Sequence, residues 1–188
     1  MIKQLDIDIN YKLILETIND LKIIELYLPK GTNQIAVHCR EETAPHAQLS
    51  EGCNSLFFDW DAYDSKIHTK VPKRNEQLNE IDFIKVCDLF KNTYIETVIN
   101  LLNDKFGVYR GRFMYMRYKT CLSSHIDDSY RIHIPLITNP NCFMVINDLI
   151  YKMNDNATYI TNTTLEHTAV NAGITDRLHL VFCTDSKI

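Results

Sequence analysis

Two histidines, an aspartate and an arginine carry the chemical information in this 188-residue chain. His125-Ile126-Asp127 is answered further on by His167 and then by Arg177. Two imidazoles and one carboxylate on one face of a metal are the donor set of non-haem Fe(II) oxygenases, because the opposite face stays open for cosubstrate and dioxygen. A guanidinium offers a planar fork of donors matched to a carboxylate, so Arg177 near such a metal suits the distal carboxylate of 2-oxoglutarate. An oxygenase is therefore the first expectation. His-x-Asp alone is a weak signal: with seven histidines present it arises by chance, and it can sit on an exposed polar strand edge.

The elements that must position these groups supply the context. In an extended strand, residues two apart point the same way, so His125 and Asp127 can reach one metal while Asp128 turns to the other face. Arg131 and His133 alternate with apolar neighbours in the run 130–136, as a half-buried strand requires, and in phase they point into the same cavity as the ligands. Arg177 opens the β-prone run 177–183, a rigid platform for a binding group. His167 falls in a Thr-rich turn. Glu166 offers a general base in a competing scheme, although neighbours on a strand face opposite ways. His179 alternates with Leu178 and Leu180 and is expected to partner other core polar groups. His38, His46 and His68 lack ligand-like spacing and are expected in solvent.

Helical spacing covers 10–21, and strands are expected at 23–28 and 34–37 around the turn Pro29-Lys30-Gly31. Residues 40–54 and 61–76 read as polar loops, with a short strand at 55–58 between them. Phe83, Cys87, Phe90, Tyr94, Val98 and Leu101 recur at steps of four and three, which predicts one long helix over 78–104, stopped at Gly107 and packed outside a sheet. Short strands follow at 109–118, 131–137, 142–147, 149–153, 158–161 and 177–183. The predicted fold is mainly β with flanking helices, around a double-stranded β-helix (jelly-roll, cupin-like) core whose mouth collects inward-facing ligands. A single domain over 1–188 is expected, with 1–107 giving N-terminal strands, loops and a supporting helix, and 108–188 the catalytic core strands.

A net charge of −4 without a basic block argues against a nucleic-acid partner held by phosphate neutralisation. Six cysteines without a C-x-x-C pair read as core hydrophobes in a reducing compartment. The first residues lack a signal-peptide stretch, and no run approaches the ~18 apolar residues of a membrane span. A soluble cytoplasmic protein without a membrane partner is expected; the oligomeric state is open.

The run His125-x-Asp127, Arg131-x-His133-x-Pro135-Leu136, Tyr159-x-x-Asn162-Thr163, His167-x-x-x-Asn171 and Asp176-Arg177-x-His179-Leu180-Val181 resembles the aspartyl/asparaginyl β-hydroxylase family of Fe(II)- and 2-oxoglutarate-dependent dioxygenases. Weaker similarity upstream, at Gln34-Ile35-Ala36-Val37 and Gly52-Cys53-Asn54-Ser55-Leu56, extends it over roughly 34–183. The resemblance implies iron held by His125, Asp127 and His167, the distal carboxylate of 2-oxoglutarate on Arg177, and Arg131 and His133 lining the cosubstrate or substrate side. It implies hydroxylation of an amino-acid side chain, in a peptide (Asp, Asn or Pro) or as the free amino acid, with 2-oxoglutarate and dioxygen consumed and succinate released. An aspartate at position 127 leaves no vacancy for a halide, which favours hydroxylation over halogenation. Two positions depart from the family: Tyr159 stands where Trp is common, and Met114 and Met116 stand where some members place a hydroxyl that assists the arginine. Two other classes fit the residues: a zinc-dependent hydrolase using the same His/Asp/His set, and a non-catalytic jelly-roll module binding a small carboxylic acid. Loops 40–54 and 61–76 carry no motif that identifies a substrate.

Overall fold

The computed structural model describes residues 1–26, 33–54, 58–59, 63–66, 68–70, 73–75 and 77–188. In chain order its main elements are β1 (Ile2–Leu5), α1 (Tyr11–Asp20), β2 (Gln34–Ala36), α2 (Tyr94–Phe106), β3 (Tyr109–Met116), β4 (Thr120–Cys121), β5 (Tyr130–Ile137), β6 (Cys142–Ile146), β7 (Leu149–Tyr151), β8 (Thr158–Thr161), β9 (His167–Asn171) and β10 (Arg177–Thr184). The larger sheet runs β1-β8-β5-β10-β3-β2 and the smaller β4-β9-β6-β7, with antiparallel pairing throughout. The chain from β3 to β10 winds back and forth between the two sheets, which is the double-stranded β-helix. The first half of the chain supplies both outer strands of the larger sheet, β1 and β2.

Alternation along the strands divides the molecule into two interiors. Leu178, Leu180 and Phe182 of β10 join Phe113, Ile132 and Ile134 in the main core, against Ile14 and Ile18 of α1 and Val98 and Leu102 of α2. Each such fully buried side chain contributes about 1.5–3 kcal/mol. Arg177, His179 and Val181, two apart on the same strand, turn to the other face and look toward the smaller sheet. There Met116, Met144, Ile146 and Ala169 form a second, smaller apolar cluster. Both faces of β10 are covered, so all its residues are buried. Pro135, which lacks an N–H for the ladder, is tolerated in this strand layer because it sits beside the register shift with β10 and beyond the stretch paired with β8. Gly111 is required by packing: a Cβ there would lie 2.4 Å from the Phe182 ring.

Local chemistry explains the helix limits. Asn10 caps α1, its side chain accepting the Leu13 N–H at 3.2 Å. Thr93 caps α2 by accepting the Ile95 N–H at 3.2 Å, and Gly107 ends it with φ +58°, a conformation glycine adopts without Cβ strain.

Several expectations are corrected here. The strand expected from residue 23 is one helical turn, Ile23–Leu26, since a short apolar run fits either conformation. Residues 27–28, the Pro29-Lys30-Gly31 turn and 55–57 lie outside the described residues. The helix expected from residue 78 begins only at Tyr94. Before it come 3₁₀ turns at Glu80–Asp82 and Asp88–Phe90 and a strand pair, Lys85–Val86 with His38–Cys39. Phe83, Cys87 and Phe90 are buried as the periodicity implied, but from successive tight turns, and Asn92 at φ +58° separates them from the helix. Five of the six cysteines are buried and Cys121 is exposed.

Candidate metal centre and its cavity

His125 and Asp127 lie on no continuous strand; backbone pairing holds them. His125 forms an isolated antiparallel bridge with His167, each N–H donating to the other's carbonyl at 3.0 and 2.9 Å. Such a doubly bonded pair fixes the two backbones side by side, and the two rings come to 4.3 Å between centroids. The Asp127 N–H donates to the Thr163 carbonyl at 2.9 Å. His167 opens β9 and does not sit in a turn: its strand character was masked by the threonines around it.

Side-chain hydrogen bonds then aim the donors. Nδ1 of His125 lies 2.7 Å from the Ser123 carbonyl, and Nδ1 of His167 lies 3.0 Å from that of Leu165. Each ring must carry its proton on Nδ1 to make that bond, which leaves an Nε2 lone pair facing inward. Those two nitrogens stand 4.0 and 3.6 Å from the Asp127 carboxylate oxygens. One donor atom from each of the three residues falls within 4.8 Å of the others. Two neutral imidazoles and a carboxylate converging with tautomers already set fit a divalent metal such as Fe(II). Burial lowers the pKa of His167, keeping it in the neutral, ligating form, although Asp127 opposes the shift.

A cavity of about 400 Å³ opens onto this triad, lined also by Arg110, Arg112, Arg131, His133 and Arg177. Arg131 forms an ion pair through Nε with Asp127 at 3.2 Å and donates through Nη2 to Glu80 at 3.0 Å, and a further bond goes to Ser129. Burial opposes its charge, but Cys183, Asp127 and Glu80 around it hold its pKa above the ordinary arginine value. Glu80 also pairs with Arg110. Burial alone would raise the Glu80 pKa; Arg131, Arg110 and Arg112 override it and bring it down to about 2.

Arg177 is different. Its guanidinium lies edge to edge with the imidazole of His179, Nε 2.9 Å from Nε2 and Nη2 2.8 Å from Nδ1, and its Nη1 is 3.8 Å from the Met116 sulfur. No carboxylate among the described residues lies within ion-pair distance of it. Burial pulls its pKa down to about 10. His179 and His133 are both pushed well below the ordinary histidine pKa, by burial and then by Arg177.

The histidines outside this site divide. His38, expected in solvent, is buried, with Nδ1 accepting the Gly111 N–H at 3.0 Å and its pKa pulled down to about 4 by burial, while His46 and His68 are exposed. Glu166 is exposed and bonded to Ser124. Sequence reasoning missed Asn54, Glu80, Arg110 and Arg112 as cavity residues. A signal existed in Tyr109-Arg-Gly-Arg-Phe-Met-Tyr-Met, where arginines and methionines share one face and aromatics the other. Charged side chains on a face read as solvent-facing, whereas here the aromatic face packs on the core and the charged face lines the cavity.

The sequence profile of the aspartyl/asparaginyl β-hydroxylase family matches residues 59–185, more than half of the chain. The chain belongs to this family and is an enzyme of the hydroxylase class. It finds no match among curated protein sequences. Among solved structures it is similar to a cupin domain from Bordetella pertussis Tohama I, at 12% identity over 42% of this chain and 82% of that one, with a TM-score of 0.37. It is also similar to an oxidoreductase of the 2OG-Fe(II) oxygenase family from Burkholderia pseudomallei, at 16% identity over 50% of this chain and 58% of that one, with a TM-score of 0.42. IDO from Bacillus thuringiensis is similar at 10% identity over 100% of this chain and 90% of that one, with a TM-score of 0.45. Among the described residues no helix is long and apolar enough to cross a membrane.

Proposed function

We propose that this hydroxylase is an Fe(II)- and 2-oxoglutarate-dependent dioxygenase acting on an amino-acid side chain, in a peptide or as the free amino acid. The observation that carries this reading is the pairing of two features in one cavity: the converging donors of His125, Asp127 and His167, and the buried Arg177, which has no carboxylate partner among the described residues. A zinc hydrolase needs only the first of these.

In this reading His125, Asp127 and His167 hold the metal and Arg177 takes the distal carboxylate of 2-oxoglutarate. Fe(II), when bound, supplies the activation of dioxygen that couples decarboxylation of 2-oxoglutarate to oxygen insertion into a C–H bond. The protein's own part is orientation and exclusion. Ser123 and Leu165 carbonyls hold both imidazoles in the ligating tautomer. Arg131 lines the cavity and fixes the Asp127 carboxylate, so its contribution is made partly through that ligand. Met114, Met144, Ala169 and Val181 line the cavity with apolar surface that keeps water from the reacting centre. His133, neutral under its depressed pKa, adds a hydrogen-bonding ring to the same wall without adding charge.

The test is succinate release with Fe(II), 2-oxoglutarate and dioxygen over a panel of free amino acids and peptides. His125→Ala is expected to abolish turnover, and Arg177→Ala to raise the 2-oxoglutarate requirement by about a hundredfold or more, as expected when a charged hydrogen-bonded partner is removed from a buried site. Product formation without oxygen, or turnover indifferent to Arg177→Ala, refutes the assignment.

A further inference from the structure

Of the three metal donors, Asp127 has the least regular support. His125 is clamped by its bridge to His167, and His167 lies on β9, whereas residues 126–129 run between that bridge and β5 without strand structure. A ligating carboxylate on irregular backbone takes its aim from the groups packed around it. Those groups lead to Glu80. Arg131 Nε pairs with Asp127 Oδ2 at 3.2 Å while Nη2 of the same guanidinium donates to Glu80 Oε1 at 3.0 Å. The other Glu80 oxygen accepts the Ser129 hydroxyl at 3.1 Å, and that hydroxyl also takes a bond from Arg131 Nη1. The Ser129 carbonyl in turn accepts the Thr163 hydroxyl at 2.7 Å, and the Thr163 carbonyl accepts the Asp127 N–H at 2.9 Å. Glu80 therefore grips the ligand segment twice, at a side chain two residues beyond Asp127 and at the cation that touches its carboxylate.

Glu80 reaches the cavity from outside the jelly roll. It opens the 3₁₀ turn Glu80–Asp82, and Phe83, which closes that turn, is fully buried and accepts the Arg110 N–H of β3 at 2.7 Å through its carbonyl. The turn is thereby docked on the strand, and the Glu80 side chain is only 10% exposed. Charge adds a second effect. Arg131, Arg110 and Arg112 all act on this carboxylate and keep it ionised, so it is the common counter-charge of three guanidiniums on the cavity wall. Without it those cations would face a site that has to accept a divalent ion, and their repulsion acts across a poorly screened interior.

We propose that Glu80 is a positioning residue of the metal centre, setting the Asp127 carboxylate through Arg131 and Ser129 and offsetting the cationic wall so that a divalent ion can bind. This rests on the dioxygenase reading in taking His125, Asp127 and His167 as the ligands. Glu80 touches neither metal nor substrate in this account; it acts through the two residues it holds. The strands β3 to β10 supply the donors, and a turn from the first half of the chain completes their geometry.

The deciding experiment is anaerobic titration of the full chain with Mn(II) and with Co(II), followed by titration of the Mn(II)-saturated chain with 2-oxoglutarate. Glu80→Gln keeps the shape and one oxygen acceptor while removing the charge. Its Mn(II) affinity is expected to fall about tenfold to a hundredfold, the usual cost of losing a partner that orients a ligand, and the visible absorption of bound Co(II), which reports coordination geometry, is expected to shift. Its 2-oxoglutarate affinity at saturating Mn(II) is expected to hold or rise, because the wall has lost a negative charge that repels an incoming dianion. A residue that only props up the fold lowers both affinities together. Glu80→Asp, with the charge kept and the reach shortened, is expected to fall between wild type and Glu80→Gln. An unchanged Mn(II) affinity in Glu80→Gln overturns the proposal, and so does an unchanged Co(II) spectrum or a parallel loss of Mn(II) and 2-oxoglutarate binding. Should Glu80→Gln not fold, Glu80→Asp decides on the same readouts. A wild-type chain that takes up no Mn(II) refutes the metal centre itself, which separates that failure from the failure of Glu80 alone.

Discussion

Four arginines line one cavity, and they divide into two kinds. Arg110 and Arg131 are neutralised inside the protein, by Glu80 and, for Arg131, by Asp127 as well. Arg112 and Arg177 touch only neutral partners among the described residues: an asparagine oxygen for the first, a histidine ring and a methionine sulfur for the second. All four are buried, so exposure does not divide them into these two kinds. What distinguishes them is whether the compensating charge is part of the fold. Arg110 and Arg131 are in direct ion-pair contact with carboxylates of the fold, Arg112 acts on Glu80 only from a distance, and Arg177 has no carboxylate near it among the described residues.

Stability measurements break this distinction most directly. Arg131→Met strands the Asp127 carboxylate and weakens the hold on Glu80, and is expected to cost about 3 kcal/mol of unfolding free energy in urea denaturation. Arg177→Met removes a buried charge that no carboxylate among the described residues opposes, and is expected to leave the midpoint unchanged or raise it. If both substitutions destabilise equally, the two kinds of arginine are one kind.

Acid titration sharpens it. The folded pKa of Glu80 lies at about 2, below its ordinary 4.5, so its contribution to stability is fully present above about 4.5 and is lost as pH falls toward 2. The stability difference between wild type and Glu80→Gln should therefore be constant at neutral pH and close across that acid window. A difference that persists unchanged at pH 2 places the Glu80 contribution elsewhere than in its ion pairs. Far from the cavity, Gly107→Ala forces a Cβ into a backbone at φ +58° and is expected to cost about 1 kcal/mol, with metal and 2-oxoglutarate binding untouched. That control separates general loosening from effects routed through the arginines.

That His125, Asp127 and His167 converge, and that Arg177 shares their cavity, was legible from several motifs in order and spacing taken together, since His-x-Asp alone is a weak signal. Arg112 was not, since one strand read alone shows two faces but not which of them looks inward. Only the placement of α1 and α2 over the aromatic face decides it. Glu80 was hidden for a different reason. Its segment was taken up into the helix expected from residue 78, because tight 3₁₀ turns bury Phe83, Cys87 and Phe90 at the same steps of three and four that a helix produces. The core strands were readable from their turns and length, whereas β1, β4 and β9 were missed as short, polar segments that owe their conformation to a neighbouring strand.

β1 lies along β8, and the Asn162 N–H beyond it donates to the Met1 carbonyl at 2.9 Å. Stripped of that cover, Thr158–Thr161 would present a row of open N–H and C=O groups, a template on which another chain can add strand by strand. β1 takes over that edge as a strand of only four residues, and so short an outer strand offers a second chain little length to pair with.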